Sequence, residues 1–247
     1  MAWTWYDSKV VRIEEVTPQT RRFWVEVESE EPLNFKAGQF VTMDLPIHER
    51  RNKRWRSYSI ANPPTGGREL EFCIVRLEGG AATRYFFEEV RVGTPIRFKG
   101  PSGTFTLPEK VETDLVFIGT GTGVAPFRSM LWDLAGQNKP HKNIHLIFGT
   151  RYREGILYQE EWAELSEKMP GFAYSVALSR EKDLPELPGG AVRSGYVHQF
   201  YLDRYKDVRP DIDFYICGWS NMIDEAVENL LLKLGYDKKQ IHYELYG

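Results

Sequence analysis

The sequence predicts an α+β protein of two domains, an N-terminal antiparallel six-stranded β-barrel followed by a C-terminal parallel α/β nucleotide-binding domain. Three observations lead to this fold class. The first hundred residues form short runs in which apolar and polar positions alternate. After Pro108 the runs become continuously apolar, and helical patterns lie between them. We expect the domains to cover residues 1–110 and 111–247, with the boundary near residues 108–113.

Alternation marks the strands of the first domain. Phe23, Val25 and Val27 are apolar at every second position, as are Leu70, Phe72 and Ile74, which is typical of half-buried strands. Turn clusters rich in proline and glycine separate these runs, and only residues 83–90 look helical. Several short strands with frequent turns indicate a small antiparallel barrel.

The second domain shows the pattern of buried parallel strands. Four continuously apolar runs cover residues 115–118, 144–148, 173–178 and 214–217. The clearest helical pattern between or after them runs from Ile223 to Leu234, and Gly235 follows as a typical C-terminal cap. Strands that alternate with helices predict a parallel sheet.

Composition narrows the classes of function. The 247 residues carry a formal net charge of −3, so no global basic field points to nucleic acid. No apolar stretch is long enough for membrane insertion, and the first residues lack the features of a signal peptide. We therefore expect a cytoplasmic protein that is a monomer or weak dimer. The two cysteines, Cys73 and Cys217, are fewer than the roughly four thiolates of an iron–sulfur cluster, so such a cluster would belong to another protein.

A glycine-rich segment from Gly119 to Pro126 follows the strand predicted at residues 115–118 and opens a helix. Glycines at this point let backbone N–H groups approach a pyrophosphate, and the helix N-terminus favours an anion. Pro126 is tolerated because the first amides of a helix have no intrahelical partner. Val124 stands where G-x-G-x-x-G has its third glycine, so a plain strand-to-helix turn is the competing interpretation.

A short strand in the first domain, Arg56-Ser57-Tyr58-Ser59, carries side chains that suit a flavin. An arginine can pair with a diphosphate, an aromatic ring can cover a flavin face, and a serine can hydrogen-bond a ring nitrogen. Taken alone, these residues fit a plain amphipathic strand equally well. Further along, Gly80 to Thr83 begin a predicted helix, a second place where backbone amides meet phosphate.

Together these segments resemble the ferredoxin–NADP reductase family of flavoenzymes, in family order and over nearly the whole chain. The matches are R-x-Y-[ST] at Arg56, Tyr58 and Ser59; G-x-x-[ST] at Gly80 and Thr83; G-x-G-T-G-x-x-P at Gly119 through Pro126; C-G at Cys217-Gly218, with Met222 following; and the acidic–aliphatic–aromatic tail Glu244-Leu245-Tyr246.

The resemblance implies that the barrel binds FAD. Arg56 would contact the diphosphate, Tyr58 would lie against the isoalloxazine, and Ser59 would act as a catalytic residue near the flavin N5. A second set would complete the cofactor site through backbone groups and small side chains: Ser57, Cys73, Ile74, Val75, Ala81, Ala82 and Thr83.

The resemblance also implies that the α/β domain binds NADPH around Thr122, Cys217-Gly218 and Met222, with nicotinamide C4 placed against flavin N5. Cys217 would then be catalytic, although simple packing at a strand end explains it equally well. Tyr246 would cover the other flavin face, and Glu244 would contact the flavin or relay protons. Ordinary roles at a strand end are the alternative for both residues.

Two arginines favour NADP over NAD. Arg151 follows the strand at residues 144–148, where the adenosine 2′-phosphate commonly sits in this family. Arg180 follows the next strand, with Ser179 beside it in the same site. An acidic residue would instead suit a bare ribose hydroxyl. By resemblance to plant-type members, Tyr158 would stack on the adenine.

A basic run from His48 to Arg56 lies beside the flavin motif. We expect it to dock an acidic electron carrier, with a solvated loop as the alternative. The sequence thus predicts a ferredoxin/flavodoxin–NADP+ reductase-like flavoenzyme, which moves electrons between NADPH and a one-electron protein carrier through FAD. The alternatives are the NAD(P)H-dependent reductase component of a multicomponent oxygenase or desaturase, and a non-catalytic flavin- or nucleotide-binding regulatory subunit.

Overall fold

The computed structural model describes residues 4–246, which fold into two compact units. The first unit contains the chain up to Leu107 together with Ala125–Asp133, and the second contains Pro108–Val124 together with the chain from Leu134 onward. Residues 1–3, part of the segment without signal-peptide character, lie outside the described residues.

Six strands form an antiparallel sheet within residues 4–107. They are β1 (Trp5–Thr17), β2 (Thr20–Val27), β3 (Phe40–Asp44), β4 (Trp55–Ser59), β5 (Glu69–Val75) and β6 (Pro95–Ser102). Their spatial order is β4-β3-β6-β1-β2-β5. The N–H of Ala61, just after β4, donates to the carbonyl oxygen of Glu71 in β5 at 2.8 Å, which links the two end strands. The predicted antiparallel barrel is confirmed.

The core of the barrel is built from the alternating apolar residues of its strands. Phe23 of β2, Phe72 of β5 and Val41 of β3 are fully buried. Helix α1 (Ala81–Glu88) adds Phe86, whose ring packs edge-on against Phe23 with centroids 5.1 Å apart. Each such side chain contributes roughly 1.5–3 kcal/mol by leaving water, so α1 is held firmly on the sheet.

A buried carboxylate joins the barrel to the first part of helix α2 (Ala125–Gly136). Glu71 is 2 % exposed and accepts hydrogen bonds from Arg22 Nε at 2.7 Å and from Arg128 Nη1 at 2.9 Å. The Ser129 hydroxyl donates to the carbonyl oxygen of Asn62 at 2.7 Å. Breaking a buried pair of this kind costs about 3–5 kcal/mol. Arg128 and Ser129 thus attach residues 125–133 to the barrel, within the same compact unit.

The second unit contains a parallel sheet. Its strands are β7 (Asp114–Thr120), β8 (Ile144–Thr150), β9 (Phe172–Leu178), β10 (Gly190–Ser194), β11 (Ile212–Gly218) and β12 (Ile241–Leu245), in the order β10-β9-β8-β7-β11-β12. The helices are α3 (Gln159–Lys168), α4 (His198–Arg204) and α5 (Ser220–Glu228). The predicted parallel α/β architecture is confirmed. Among the described residues, no helix combines the length and apolar character needed to cross a membrane.

Two elements of this unit differ from the sequence pattern. The sequence pattern does not predict strand β10, which forms one edge of the parallel sheet. Gly190–Ser194 contains exposed residues such as Arg193 instead of an apolar run. Helix α5 continues as a π-helix over Asn229–Leu234. At its first residue, the side-chain amide of Asn229 donates a hydrogen bond to the Tyr201 hydroxyl at 2.8 Å. Gly235 ends it with a φ of +87°, as predicted for a C-terminal cap.

A buried histidine links the strands of this sheet to the segment after α4. His145 Nδ1 lies 2.8 Å from the Tyr205 hydroxyl, and its Nε2 lies 2.8 Å from the Ser175 hydroxyl. Burial lowers the pKa of His145 to about 3, and the charge of Arg204 acts in the same direction. The imidazole is therefore neutral near pH 7 and serves as a hydrogen-bonded part of the core.

Candidate functional site

Strand β4 presents its functional side chains on two faces. Arg56 and Tyr58 stand opposite buried residues of β3 in the β3–β4 register, so they share the face that those residues occupy. Ser57 lies on the other face, where its hydroxyl is 3.1 Å from Thr42 Oγ1. Ser59 ends the strand and is 5 % exposed. The structure therefore brings Arg56 and Tyr58 together and separates the side chain of Ser57 from them.

Tyr58 and Arg56 are both held in place by local contacts. The Tyr58 ring packs edge-on against Phe86, with centroids 5.4 Å apart and an interplanar angle of 79°. Burial raises the pKa of the Tyr58 hydroxyl well above its usual range, although the charge of Arg56 opposes the shift, so the phenol stays neutral. The guanidinium of Arg56 donates to the carbonyl oxygens of Lys53 at 3.1 Å and Trp55 at 2.7 Å.

Strand β5 lies at one end of the antiparallel sheet. Its register pairs it with β2, and Cys73 and Ile74 are 7 % and 2 % exposed. Val75 is partly exposed where the strand ends. On its other side, the strand is engaged at Glu71, whose carbonyl oxygen accepts from Ala61 N–H and whose N–H donates to Asn62 Oδ1, both at 2.8 Å. The backbone contacts of Cys73, Ile74 and Val75 with the flavin remain a prediction.

Helix α1 begins at small residues that leave its first N–H groups accessible. Gly80 is the N-cap and makes no side-chain cap bond. Thr83 Oγ1 accepts from the Leu77 N–H at 3.1 Å, which shapes the turn before the helix, and a Cβ on Gly80 would lie 2.7 Å from that oxygen. The amides of Ala81, Ala82 and Thr83 have no intrahelical acceptor and therefore suit a phosphate.

A cavity of about 490 Å³ lies at the start of α1. The residues that line it are Gln19, Arg76, Leu77, Glu78, Gly79, Gly80, Ala81 and Arg84. Arg76 pairs with Glu88 at 2.6 Å, and Arg84 is exposed on the first turn of the helix. Amides and guanidinium groups together fit a diphosphate. Sequence reasoning missed Gln19 and Arg84, since neither falls at a motif position.

The turn after β7 depends on close contact between backbones. A 3₁₀ turn covers Gly121–Val124 and leads into α2. A Cβ on Gly123 would lie 2.4 Å from the carbonyl oxygen of Cys217, so no larger residue fits there without movement. Gly218 has a φ of +144°, and a Cβ on it would lie 2.4 Å from Thr120 Oγ1. The glycines thus let the turn and the end of β11 pack against each other.

The end of β11 gathers four of the predicted residues. Glu244 stands opposite Cys217 in the β11–β12 register, and the Tyr246 hydroxyl donates to the carbonyl oxygen of Thr122 at 3.5 Å. Burial raises the pKa of the Cys217 thiol well above its usual range, and the charge of Glu244 adds to this. Hydrogen bonds from Tyr246 and the Gly218 backbone act in the opposite direction. The thiol is therefore protonated near neutral pH.

Two predicted arginines follow adjacent strand ends. The backbone N–H of Arg180 donates to the carbonyl oxygen of Arg151 at 3.0 Å. The backbone N–H of Ser179 donates to the carbonyl oxygen of Thr150, also at 3.0 Å. Arg151 and Arg180 are both exposed. The neighbouring carboxylate of Glu181 accepts the backbone N–H of Arg153 at 2.9 Å. The structure brings Arg151, Ser179 and Arg180 together, as the prediction requires.

Besides Cys217 and Gly218, which are buried at the end of β11, two further residues predicted to contact the dinucleotide are buried. Tyr158 is 8 % exposed, has a φ of 58°, and packs edge-on against Trp162 with centroids 5.9 Å apart. A ring that stacks on adenine needs an accessible face, so this packing argues against the predicted role of Tyr158. Met222 is 9 % exposed and belongs to the core of the second unit. Tyr152, which is 41 % exposed beside Arg151, has the accessible ring that Tyr158 lacks.

Trp219 is a candidate that sequence reasoning missed. It follows Gly218, is 53 % exposed, and its backbone N–H donates to Thr120 Oγ1 at 3.3 Å. Its indole nitrogen lies 3.6 Å from the point where a Cβ on Gly121 would stand. An exposed indole beside a glycine turn offers a flat surface to a nucleotide ring. The available signal is a large aromatic residue directly after the Cys-Gly pair.

Two protein-family models match the chain. The oxidoreductase FAD-binding domain matches residues 7–107, and the oxidoreductase NAD-binding domain matches residues 117–228. The chain therefore carries an FAD-binding domain followed by an NAD-binding domain, which confirms the two predicted cofactor classes. Backbone N–H groups at the start of α1, and in the glycine-rich turn that packs against the end of β11, are donors that fit these cofactors.

The chain is similar to reductases of two kinds. It is 30 % identical over 247 residues to ferredoxin–NADP reductase B of Sorangium cellulosum, covering 98 % of this chain and 97 % of that protein. It is 30 % identical over 226 residues to the reductase component of phenol 2-monooxygenase from Pseudomonas sp., covering 92 % and 61 %. The solved ferredoxin NADP+ reductase of Neisseria gonorrhoeae, with bound FAD and NADP, aligns with a TM-score of 0.80 at 25 % identity, covering 98 % and 99 %.

Proposed function

Because the chain belongs to the ferredoxin–NADP reductase family of FAD-dependent oxidoreductases, we propose that it moves electrons between NADPH and a one-electron protein carrier. The observation that carries this proposal is the gathering of Thr122, Cys217, Glu244 and Tyr246 at the glycine-packed end of β11. When bound, FAD accepts hydride from a nicotinamide and releases electrons one at a time. The protein contributes chiefly by positioning the reactants.

The first unit would hold FAD through charge, amides and one aromatic ring. Arg56, oriented by two backbone carbonyls, would meet the diphosphate together with the amides at the start of α1. Tyr58 would lie against the isoalloxazine, its ring already fixed by Phe86. Ser59, at the end of β4, would stand near N5. The neutral phenol of Tyr58 adds no negative charge beside the flavin.

We propose NADPH as the hydride donor because two exposed arginines, Arg151 and Arg180, follow neighbouring strand ends. Guanidinium groups bind phosphate oxygens strongly, which suits the 2′-phosphate. The carboxylate of Glu181 is engaged by the Arg153 amide and is therefore not positioned as the usual ribose ligand. Tyr152 replaces Tyr158 as the proposed partner of the adenine.

Three residues at the end of β11 and β12 would act on the nicotinamide and flavin rings. Cys217 is fully buried with Tyr246 hydrogen-bonded to its sulfur, so its small, protonated thiol would let the nicotinamide come close only after the Tyr246 side chain moves. Tyr246 would cover the flavin and move aside when the nicotinamide enters. Glu244 would supply a polar contact next to these rings, where its charge already raises the pKa of the Cys217 thiol.

The proposed electron acceptor is an acidic carrier such as a ferredoxin or a flavodoxin-like protein. Cys73 and Cys217 are both buried, and two thiols are fewer than the roughly four that an iron–sulfur cluster needs, so these residues would not themselves hold the cluster of an iron–sulfur acceptor. Arg54 is paired with Asp44 at 2.8 Å and adds little to an attractive surface.

The proposed docking surface, called here the basic patch, consists of Arg50, Arg51, Lys53 and Lys99. Arg51 and Lys99 lie 6.0 Å and 4.0 Å from the ring centre of Trp55, whereas Arg97 is paired with Asp7 at 3.6 Å.

Stopped-flow reduction of the FAD-loaded protein tests the proposed reaction. NADPH should bleach the flavin much faster than NADH, and a reduced sample should then be reoxidised rapidly by ferredoxin or flavodoxin. Absence of bleaching with both nucleotides would refute the enzyme and favour the regulatory subunit. Faster reduction by NADH, with reoxidation only by an oxygenase's iron–sulfur protein, would favour an oxygenase reductase component, to which the phenol 2-monooxygenase relative points.

Charge reversal tests the basic patch separately. The double variant Arg50→Glu/Arg51→Glu should slow reduction of an acidic carrier and flatten its salt dependence, because complementary charge mainly raises the association rate. Reduction of ferricyanide by NADPH should be unchanged. The control Lys238→Glu/Lys239→Glu alters two basic residues of the second unit and should behave like the parent protein. Equal carrier rates in both double variants would eliminate the basic patch.

A further inference from the structure

The loop that connects β8 to α3, residues 151–158, is packed into the core through its second half. Ile156 and Leu157 are 6 % and 3 % exposed, and the indole nitrogen of the buried Trp162 in α3 donates to the carbonyl oxygen of Leu157 at 2.7 Å. In the first half, by contrast, residues 151–154 are all exposed. Core packing therefore does not fix the half of the loop that carries the proposed phosphate ligand.

Two consecutive residues after β9 hold the exposed half of the loop. The backbone N–H of Arg180 donates to the carbonyl oxygen of Arg151 at 3.0 Å. The side chain of Glu181 reaches further, and its Oε2 accepts the backbone N–H of Arg153 at 2.9 Å. Arg153 begins a 3₁₀ turn, whose first N–H groups have no acceptor within the turn. The carboxylate thus caps this turn, and Tyr152 lies between two residues that are held from β9.

A carboxylate at position 181 needs an explanation in a site proposed for phosphate. Glu181 directly follows Arg180 in the sequence, and its negative charge repels a phosphate. An acidic residue beyond a strand of this kind of sheet can instead bind the ribose 2′-hydroxyl of NADH. The hydrogen bond to the Arg153 N–H indicates a third task, because an ionised acceptor holds an amide more strongly than a neutral one.

We propose that Glu181 is a positioning residue that sets the preference for NADPH, and this rests on the proposed function of NADPH as the hydride donor. By holding the Arg153 N–H, the carboxylate fixes the exposed half of the loop, so that Arg151 and Tyr152 meet the 2′-phosphate and the adenine in one arrangement. Less conformational freedom is then lost on binding, which raises the affinity. Hydride transfer takes place at the other end of NADPH, so kcat should not depend on Glu181.

Two substitutions separate the hydrogen bond from the charge. Glu181→Ala removes both, whereas Glu181→Gln removes the charge and keeps an oxygen that can accept the Arg153 N–H. The probe is adenosine 2′,5′-bisphosphate, which carries the 2′-phosphate without a nicotinamide, titrated calorimetrically into the FAD-loaded protein. Its Kd should rise about tenfold in Glu181→Ala and stay at or below the parent value in Glu181→Gln. Glu154→Ala removes an exposed carboxylate from the same turn and, as the matched control, should not weaken binding.

Hydrogen exchange of the nucleotide-free protein tests the tether itself. In Glu181→Ala the amide of Arg153 should exchange at least about tenfold faster than in the parent protein, because the loop opens more readily. Glu181→Gln should restore most of the protection. The amides of the buried segment around Leu157 should exchange at the parent rate in both variants, which shows that the fold is intact.

Steady-state kinetics adds a readout that a general loss of structure would not give. The KM for NADPH should rise about tenfold in Glu181→Ala, while the KM for NADH and both kcat values stay at the parent level. Glu181→Gln should return the KM for NADPH to the parent value or below it.

The possible failures point to different causes. Unchanged exchange of the Arg153 amide, or an unchanged Kd for the bisphosphate, in Glu181→Ala would overturn the proposal and leave NADPH as the donor. A higher KM for NADH in both variants at position 181 would identify the carboxylate as a ribose ligand instead. Tighter binding of the bisphosphate in both variants would show that the carboxylate acts only by repulsion. A parent protein that does not bind the bisphosphate would refute NADPH as the donor and, with it, this role of Glu181.

Discussion

The start of α1 in the first unit and the turn after β7 in the second both expose backbone N–H groups, yet they are held in different ways. At α1 the hydroxyl of Thr83 accepts from Leu77 N–H at 3.1 Å and fixes the preceding turn. After β7 the turn is held by contact, since Gly123 and Gly218 bring the backbone against the end of β11 and the end of β7.

This difference predicts that the two segments respond differently to substitution. A hydrogen bond contributes about 0.5–1.5 kcal/mol, so a segment held by a hydroxyl should weaken gradually when the hydroxyl is removed. A segment held by close packing has no space for an added carbon atom, and overpacking costs about 1–3 kcal/mol together with a shift of the backbone. We therefore expect a graded loss of FAD binding and an abrupt loss of nucleotide positioning.

The largest effect is expected for Gly123→Ala. The new Cβ would lie 2.4 Å from the carbonyl oxygen of Cys217, so the turn must move. A displacement of about 1 Å can reduce a positioned reaction about a hundredfold, and we expect a loss of that size in the rate of flavin reduction by NADPH, measured by stopped flow. Gly136→Ala, where no atom lies within 4 Å of the new Cβ, is the control.

The FAD absorbance of Gly123→Ala should be retained, because the first unit is not altered. Release of the flavin from Gly123→Ala, or equal reduction rates in the two alanine variants, would contradict the distinction between a hydrogen-bonded and a close-packed segment.

Arg151→Ala should have the next largest effect, confined to one nucleotide. Removing a charged hydrogen bond costs about 1.5–3 kcal/mol, which corresponds to a rise of roughly ten- to a hundredfold in the KM for NADPH. The KM for NADH should change little, because NADH has no 2′-phosphate. Lys142→Ala removes an exposed cation that precedes β8, at the other end of that strand from Arg151, and should leave both constants unchanged. A parallel rise for both nucleotides in Arg151→Ala would remove this residue from the phosphate site.

A smaller effect is expected for Thr83→Val. The variant removes the oxygen that accepts the Leu77 N–H but keeps the volume of the side chain, so α1 should still form. The dissociation constant for FAD should rise about tenfold, the equivalent of about 1.4 kcal/mol, in a fluorescence titration of the flavin-free protein. Thr42→Val removes a hydroxyl that contacts Ser57 on the other face of the sheet and is expected to bind FAD normally.

The remaining prediction concerns stability instead of catalysis and separates the two units by pH. His145 has its pKa lowered to about 3, whereas an unfolded histidine titrates near 6.5. Below pH 6.5, His145 is protonated in the unfolded chain but stays neutral in the folded chain. The free energy of unfolding therefore falls as the pH drops from 6.5 toward 3, by at most about 1.4 kcal/mol per pH unit. The first unit contains one histidine, His48, and it is exposed.

Urea unfolding between pH 7 and pH 4 measures this effect. His145→Asn should be less stable at pH 7, because it alters the contacts with Tyr205 and Ser175, but its stability should depend less on pH. His48→Gln should keep the steeper dependence of the parent protein. An unchanged slope in His145→Asn would show that the acid sensitivity comes from other groups.

Most of the fold could be predicted because its signals are local. The runs at residues 115–118 and 214–217 are buried on both faces of the sheet and therefore read as continuously apolar. Strand β10 gives no such signal, since its residues at the sheet edge are largely exposed. The π-helical turn at Asn229 could not be predicted either, because it accompanies a hydrogen bond to Tyr201, which is distant in the sequence.

In the predicted site, too, the residues placed by local signals could be predicted and those whose exposure depends on distant packing could not. Motif residues such as Gly123 and Cys217 meet because glycine spacing and strand register place them together. Tyr158 has the right sequence position, but whether its ring is accessible depends on Trp162 and on an unusual backbone angle of 58°. Exposure of Tyr152 and Trp219 likewise depends on packing that the sequence pattern does not specify.

The burial of Cys217 has a consequence for the protein's working life. Peroxide and alkylating agents attack thiolates, and the reactive fraction falls as the thiol pKa rises. A flavoenzyme handles strongly reducing electrons close to dissolved oxygen, so peroxide is a by-product it must endure. With its pKa raised and its surface covered, the sulfur at the end of β11 should resist oxidation by such peroxide.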